Sequence, residues 1–297
     1  MRKSAIAVLA GLLLVAGCGT SGTGAVAPSS GPTTLSGPYV ALGDSYTAAP
    51  HIAGGAVLGA AGQPAGCGRS RRNYPRLVAR RLDLTLADES CNGATTADLA
   101  GQQQVGSESA PAQLDALTPE TALVTLGIGG NDDAIFVHLV STCFALAQQD
   151  PTGAPCTKAA GMDVATARRE IAQVLGGRLT SVVAEIAARS PHARILLVGY
   201  PQIVPATGHC AQMPLAAGDY AYARGIIQGL NDGMAQAAQA GGATYVDTWT
   251  ASAGHDICAA HPWIAGAVPA GPAAPFHPYA VEQRAVAGLV EKALGQA

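Results

Sequence analysis

Residues 39–46 read Tyr39-Val40-Ala41-Leu42-Gly43-Asp44-Ser45-Tyr46. The segment 39–43 is a short apolar run rich in β-forming residues, which predicts a buried strand. Gly43 permits a tight bend at the end of this strand, so Ser45 can present its hydroxyl at the edge of a sheet. Asp and Ser also cap helices, and this stretch alone is therefore weak evidence for a nucleophile.

Four more apolar runs follow, separated by longer segments with helical periodicity. The predicted strands are Tyr39–Gly43, Leu84–Ala87, Ala122–Gly127, Arg194–Gly199 and Thr244–Asp247, and the predicted helices are Tyr74–Leu82, Val164–Ala188, Asp219–Ala240 and Tyr279–Leu294. Strands that alternate with helices favour a parallel sheet covered on both faces. We predict one α/β domain, a three-layer α/β/α sandwich, and expect ligands to bind beyond the carboxyl ends of the strands.

The composition agrees with one domain of enzyme size. Of the 297 residues, 48% are hydrophobic and 12% are charged, which leaves enough apolar surface for a core. The 17 Lys and Arg residues, against 20 Asp and Glu residues, form no dense basic run, so we expect no nucleic acid partner. The 37 Gly and 19 Pro residues indicate long and numerous loops.

The first residues have the pattern of an export signal. Met1-Arg2-Lys3 is followed by an apolar run over 5–16, which is too short to span a membrane. Residues 1–17 are thus a predicted signal peptide. Small residues before Cys18 resemble a bacterial lipobox, which implies cleavage before Cys18 and lipidation of its thiol; a plain signal peptide with an incidental Cys is the alternative. Residues 18–37 then form a flexible tether rich in Gly, Ser, Thr and Pro, and the domain spans residues 38–297.

The chain has seven cysteines, an odd number for an exported protein. With Cys18 set aside, an even set of six remains, and outside the cytosol such a set is normally oxidised. The sequence has neither a C-x-x-C pair nor an H-E-x-x-H motif, so we expect neither a metal nor a cofactor. Proximity along the chain favours the pairs Cys67–Cys91, Cys143–Cys156 and Cys210–Cys258.

Polar residues also follow other predicted strands. The block after the second strand contains Gly93, whose backbone N–H can approach a ligand closely, and the third strand is followed by Asn131, whose amide can reach the same crevice. His277 lies just before the final helix. Each residue alone is equally typical of an ordinary turn or helix cap.

Together, these blocks resemble the SGNH/GDSL hydrolases from Pro38 to Leu294, and the Ser-Cys-x-Gly-Ala-Thr-Thr block around Gly93 resembles their secreted actinobacterial branch. The resemblance implies a flavodoxin-like, five-stranded parallel sheet. It implies that Ser45 is the nucleophile and His277 the base, and that an oxyanion hole is formed by the N–H groups of Ser45 and Gly93 and by Asn131 Nδ2. A Gly-x-Ser-x-Gly elbow is absent, which argues against the commoner α/β-hydrolase fold.

The sequence departs from the family pattern at the residue that orients the histidine. Many members carry Asp three residues before the catalytic His, and here that position is Ala274. We predict a Ser–His dyad in which the Ala274 carbonyl accepts the His277 Nδ1–H, an arrangement for which the secreted branch is known. Asp247 and Asp256 are the alternative acids. His261, also followed by proline, is the competing histidine, but no predicted helix follows it.

The oxyanion hole implies acyl transfer, and hence ester hydrolysis through an acyl-Ser45 intermediate. Apolar residues in Ala134–Leu146 and the stretch Ile52–Gly66 are candidate walls of an acyl groove, or ordinary packing. We expect a monomeric lipase or esterase that acts on acyl lipids, exported and either anchored to the outer face of the membrane through Cys18 or secreted. An envelope carbohydrate deacetylase, for which only Trp249 and Trp263 offer indole platforms, and a non-catalytic lipid-binding lipoprotein are the alternatives.

Overall fold

The structure, a computed structural model, describes residues 35–52 and 64–295. The predicted signal peptide, Cys18 and most of the predicted tether lie outside the described residues. So does most of the stretch 52–66 that was considered as a groove wall.

A five-stranded parallel sheet forms the centre of the described domain, with the strand order β2-β1-β5-β6-β7. The strands are β1 Tyr39–Gly43, β2 Leu86–Asp88, β3 Gln103–Val105, β4 Glu108–Ala110, β5 Leu123–Gly127, β6 Arg194–Val198 and β7 Thr244–Val246. The five predicted strands all form, and their order is that of flavodoxin-like sheets. The antiparallel hairpin β3–β4 was not predicted, because its short, partly exposed strands carry no apolar alternation.

The long predicted helices also form, with ends within about two residues of the predicted ones. The α-helices are α1 Ser45–Ala48, α2 Tyr74–Leu82, α3 Ala97–Ala100, α4 Ile135–Val137, α5 Phe144–Gln149, α6 Pro155–Ala160, α7 Val164–Arg189, α8 Tyr220–Gly241, α9 Thr248–Ala251 and α10 Ala280–Ala293. A π-helical turn at His138–Cys143 joins α4 to α5, and 3₁₀ turns lie at Ala65–Cys67, Gln113–Ala116, Asp132–Ala134 and Ala217–Asp219.

Each face of the sheet packs against its own apolar layer. In β1, Val40 and Leu42 belong to the cluster that includes α7 and α8, whereas Tyr39 and Ala41 belong to the cluster that includes α2 and α10. Successive residues of a strand point to opposite faces, so a strand that is apolar throughout is buried on both. This is why the first apolar run predicts a three-layer sandwich. α7 is long and apolar enough to span a membrane, but its apolar stripe packs into the first of these clusters.

Three disulfides join segments of the described domain. The sulfur pairs are those favoured by proximity along the chain, Cys67–Cys91, Cys143–Cys156 and Cys210–Cys258. The first connects the 3₁₀ turn that precedes α2 to the loop that carries Gly93. By restricting the unfolded chain, each bond stabilises the fold by about 2–4 kcal/mol.

A carboxyl group is buried in the first turn of α10. Glu282 is 2% exposed, and its Oε2 accepts a hydrogen bond from Gln283 Nε2 at 2.7 Å. Burial raises the pKa of Glu282 from 4.5 to about 8, and the Gln283 contact opposes this only in part. The group therefore stabilises the fold fully below about pH 4.5, and this contribution is lost as the pH rises to about 8.

Glu282→Gln should remove this alkaline loss, because glutamine keeps the shape and the acceptor oxygen but cannot ionise. At pH 5 we expect free energies of unfolding that differ by less than about 1 kcal/mol. At pH 9 the variant should be more stable by on the order of 3–5 kcal/mol. Urea unfolding at both pH values measures this, and an equal loss of stability in both proteins between pH 5 and 9 would contradict it.

Candidate active site

The turn that carries Ser45 begins where β1 ends. Gly43 has φ +152°, and a Cβ at this position would lie 2.6 Å from the Gly127 carbonyl oxygen, so only glycine fits. α1 starts two residues later at Ser45, and Asp44 caps it by accepting the Tyr46 N–H at Oδ1, 2.8 Å away. The capping interpretation of this stretch is thus confirmed for Asp44, whereas Ser45, on the first helical turn, stays a predicted nucleophile.

The carboxyl group of Asp44 is fully buried behind this turn. Its Oδ2 accepts the Tyr200 hydroxyl hydrogen at 2.5 Å. Burial raises the pKa of Asp44 to about 7, an effect that the hydrogen bonds from Tyr200 and Tyr46 oppose. Asp44 is therefore poorly suited to act as a permanently charged partner of a histidine.

Three donors predicted for an oxyanion hole come from three loops. Gly93 has φ +79°, and within the described residues neither its N–H nor that of Ser45 donates a hydrogen bond. Asn131 Nδ2 donates one hydrogen bond to the Ala94 carbonyl at 3.0 Å, which orients the amide and leaves its second hydrogen for another acceptor. Each predicted donor thus has capacity for a ligand oxygen.

A carboxylate joins the Gly93 and Asn131 loops. Asp132 accepts hydrogen bonds from the Thr96 N–H at 3.1 Å and the Thr96 hydroxyl at 2.5 Å. Arg178 on α7 pairs with Asp132 at 3.3 Å and with Asp133 at 2.9 Å. These contacts hold together two loops that contain little regular structure.

The predicted partner of the histidine was wrong by one residue. His277 Nδ1 lies 2.7 Å from the Pro275 carbonyl oxygen, whereas the Ala274 carbonyl accepts the His277 backbone N–H at 3.2 Å. Phe276 between them has φ +62°, a left-handed conformation that turns the imidazole back toward Pro275. Because a carbonyl oxygen only accepts, the proton is on Nδ1 and the lone pair is on Nε2.

The surroundings of His277 keep it neutral. Burial lowers the pKa of His277 below its usual value of 6.5, the Pro275 carbonyl opposes this, and the nearby His51 lowers it further. A neutral imidazole with a free Nε2 can act as a general base.

The two alternative acids make hydrogen bonds to other groups. Asp247 is exposed and caps α9 by accepting the Thr250 N–H at 2.9 Å. Asp256 accepts the Cys258 N–H at 2.9 Å. Within residues 35–52 and 64–295, neither carboxylate hydrogen-bonds to His277. The competing histidine, His261, is exposed, and its carbonyl contacts the ring of another histidine.

One cavity of about 180 Å³ brings Ser45, Asn131 and His277 together. Gly93 is next to Asn92, which also lines it. The remaining lining is almost entirely apolar and consists of Tyr46, Phe136, Val137, Leu139, Val140, Ile203, Val204, Met213, Ile227, Pro275 and Phe276. The segment 134–146 was a candidate wall, with ordinary packing as the alternative. The walls from 203, 204, 213 and 227 were not predicted, although Ile203 and Val204 follow the carboxyl end of β6, where ligands bind in such sheets.

Residues 41–281 match the GDSL-like lipase/acylhydrolase family. The chain belongs to this family. It is 39% identical over 282 residues to Lipase 2 of Streptomyces coelicolor, covering 93% of this chain and 91% of that protein. It is 31% identical over 242 residues to a lipase of Streptomyces rimosus, covering 81% of each protein.

Two solved structures of Streptomyces enzymes are also similar to this chain. The phospholipase A1 of Streptomyces albidoflavus NA297 has a TM-score of 0.67 at 29% identity, over 86% of this chain and 98% of that one. The extracellular lipase of Streptomyces rimosus has a TM-score of 0.68 at 28% identity, over 87% and 100%. This member of the GDSL family is a carboxylic ester hydrolase of the lipase/esterase type, and its extracellular relative is consistent with secretion.

The pH dependence of kcat/KM tests the protonation state of His277. We expect kcat/KM for p-nitrophenyl butyrate to rise to a plateau with a midpoint below pH 6.5, because burial lowers the pKa of the base. His51→Gln, which removes the electrostatic effect by which His51 lowers the pKa of His277, should move the midpoint upward. A wild-type midpoint above pH 6.5 would contradict the assignment of His277 as a desolvated base.

Proposed function

We propose that Ser45 and His277 form a catalytic dyad that hydrolyses fatty-acyl esters, with the acyl chain in the apolar cavity. The observation that carries this proposal is that Ser45 and the histidine with a free Nε2 line the same cavity as the Asn131 amide. A serine hydroxyl is a poor nucleophile until a neighbouring base removes its proton, and this cavity provides such a base.

The reaction has two acyl-transfer steps. Ser45 Oγ attacks the ester carbonyl carbon while His277 Nε2 takes its proton. The tetrahedral intermediate collapses as the imidazolium gives this proton to the departing alkoxide, which leaves an acyl-Ser45 ester. Water then attacks this ester, His277 takes a proton from the water and returns it to Ser45 Oγ, and the carboxylic acid is released.

The oxyanion of each intermediate requires donors that are already in position. The N–H groups of Ser45 and Gly93 and the Asn131 amide fill this role in our proposal. Removing one such donor typically costs about 3–4 kcal/mol of transition-state stabilisation. Because a backbone carbonyl orients the imidazole in place of a carboxylate, these neutral donors carry most of the electrostatic work.

The cavity walls favour an acyl chain over a sugar. Phe136, Leu139 and Val140 line one side, and Ile203, Met213 and Ile227 come from segments after β6 and on α8. Burying each methylene of an acyl chain against such walls contributes about 0.8 kcal/mol. Acyl lipids, including phospholipids as in the name of the Streptomyces albidoflavus relative, are therefore the proposed substrate class.

The proposed location follows from the N-terminal residues. We infer cleavage before Cys18, lipidation of its thiol, and attachment of a monomeric domain (38–297) to the outer face of the membrane through the tether 18–37. An enzyme tethered in this way works where its acyl-lipid substrates lie. Labelling with radioactive palmitate, lost in Cys18→Ala, tests the anchor separately from the activity.

Ser45→Ala should abolish labelling by a fluorophosphonate probe and lower kcat for p-nitrophenyl esters by at least about 10⁴-fold, because no nucleophile remains. Ser181→Ala, on an exposed face of α7, is the matched control and should label like the wild type. A wild-type protein that never labels would support the non-catalytic alternative, and a fully active Ser45→Ala would exclude the dyad.

The acyl-chain length of the ester tests whether the cavity binds the acyl group. We expect kcat/KM in a p-nitrophenyl series from acetate to palmitate to increase well beyond acetate. Val140→Trp should narrow the cavity and lower kcat/KM for the long esters by more than about tenfold, while that for butyrate stays within about threefold. Val174→Trp, on an exposed surface outside this cavity, is the control. A preference for acetate in the wild type would favour the deacetylase instead.

A further inference from the structure

The Tyr200 hydroxyl connects two active-site loops by hydrogen bonds from outside the cavity. It lies two residues after β6, is 1% exposed, and is absent from the lining of the catalytic cavity. Its hydroxyl lies 2.5 Å from Asp44 Oδ2 and 2.8 Å from the Gly130 nitrogen. Asp44 precedes the nucleophile, and Gly130 precedes Asn131.

The chemistry of these three groups fixes the direction of the hydrogen bonds. The Gly130 N–H only donates, so the Tyr200 oxygen accepts from it and gives its own proton to Asp44. The other oxygen of Asp44 accepts the Tyr46 N–H. The result is a continuous buried chain from the Asn131 loop to the first turn of α1, in which every member is paired, and such chains strengthen cooperatively.

Both the ring and the backbone of Tyr200 are held in place. The Tyr200 N–H donates to Asn231 Oδ1 at 2.8 Å, and its carbonyl accepts from Asn231 Nδ2 at 3.1 Å. The ring packs edge-on against Tyr46 at 5.2 Å and against Phe136 at 5.3 Å between centroids. The hydroxyl therefore cannot move without repacking both aromatic neighbours, and it acts as a fixed spacer between the two loops.

We propose that Tyr200 is a positioning residue that sets the separation between the Ser45 N–H and Asn131 Nδ2, two of the three oxyanion donors. This inference rests on the proposed oxyanion hole. An oxyanion hole acts only when its donors are placed in advance, and these two come from separate loops. Tyr200 touches neither donor nor the cavity, so its effect should appear in the transition state and not in substrate binding.

Tyr200→Phe keeps the ring and deletes the hydroxyl. We expect kcat to fall by about 10- to 100-fold with KM within about threefold of the wild type, and the inhibition constant of an alkyl trifluoromethyl ketone, which forms a tetrahedral adduct with an oxyanion, to rise in parallel with the loss in kcat/KM. The affinity for the corresponding fatty alcohol, which forms no oxyanion, should not change. Wild-type kcat and ketone inhibition in this variant would overturn the proposal.

Tyr39→Phe is the matched control. Tyr39 is fully buried on the same sheet, and its hydroxyl is paired with Thr125 Oγ1 at 2.7 Å, away from the cavity. Both variants should lower the urea midpoint, but only Tyr200→Phe should lower kcat. An equal loss of kcat in Tyr39→Phe would show that the effect is general destabilisation and would overturn the proposal.

A second variant and a double-mutant cycle test the shared chain. Asp44→Asn interrupts the same chain at its other end, so Asp44→Asn with Tyr200→Phe should lose little more kcat than the worse single variant, whereas effects that multiply would contradict a shared chain. Failure of the proposed function is distinguishable, because it would appear in the wild type as absent fluorophosphonate labelling or in Ser45→Ala as retained activity.

Discussion

The close approach of two strand ends is the constraint on which the rest of the site depends. β1 and β5 pair in register up to Gly43 opposite Gly127, and the Asp44 N–H continues the ladder by donating to the Gly127 carbonyl at 3.0 Å. A side chain at residue 43 has no room between these backbones. Because the bend is so tight, the helix that carries Ser45 starts at once, and the loop to Asn131 leaves from the neighbouring strand.

The site works with dipoles where many hydrolases use a charge. A carbonyl orients His277. The proposed oxyanion donors are two backbone N–H groups and one side-chain amide. Behind Ser45, the proposed nucleophile, burial raises the pKa of Asp44 to about 7. A carbonyl selects the tautomer but compensates an imidazolium less than a carboxylate does. Among the described residues, no ion pair lines this apolar cavity, where unpaired charge is costly, and the cavity therefore suits a hydrocarbon chain.

The sequence was most informative where local rules decide the structure. The β1 run, the glycine bend and the order of the strand-end blocks predicted the sheet and placed Ser45 and Asn131. The carbonyl partner was misassigned because it depends on the left-handed Phe276, a conformation that tertiary contacts impose on a residue with no preference for it. The walls contributed by Met213 and Ile227 depend on how α8 and its preceding loop pack, and no periodicity in the sequence reports this.

The disulfides have a consequence for a chain that is cut by a peptidase. They close rings of 24, 13 and 48 residues in sequence separation, and the largest, from Cys210 to Cys258, contains all of α8. Exposed loop tips with small or polar residues are where peptidases cut. A single cleavage inside any of these rings releases no fragment, since both new ends stay covalently joined through sulfur. The segments enclosed by these rings, α8 among them, thus stay attached to the rest of the chain after a single cut within a ring.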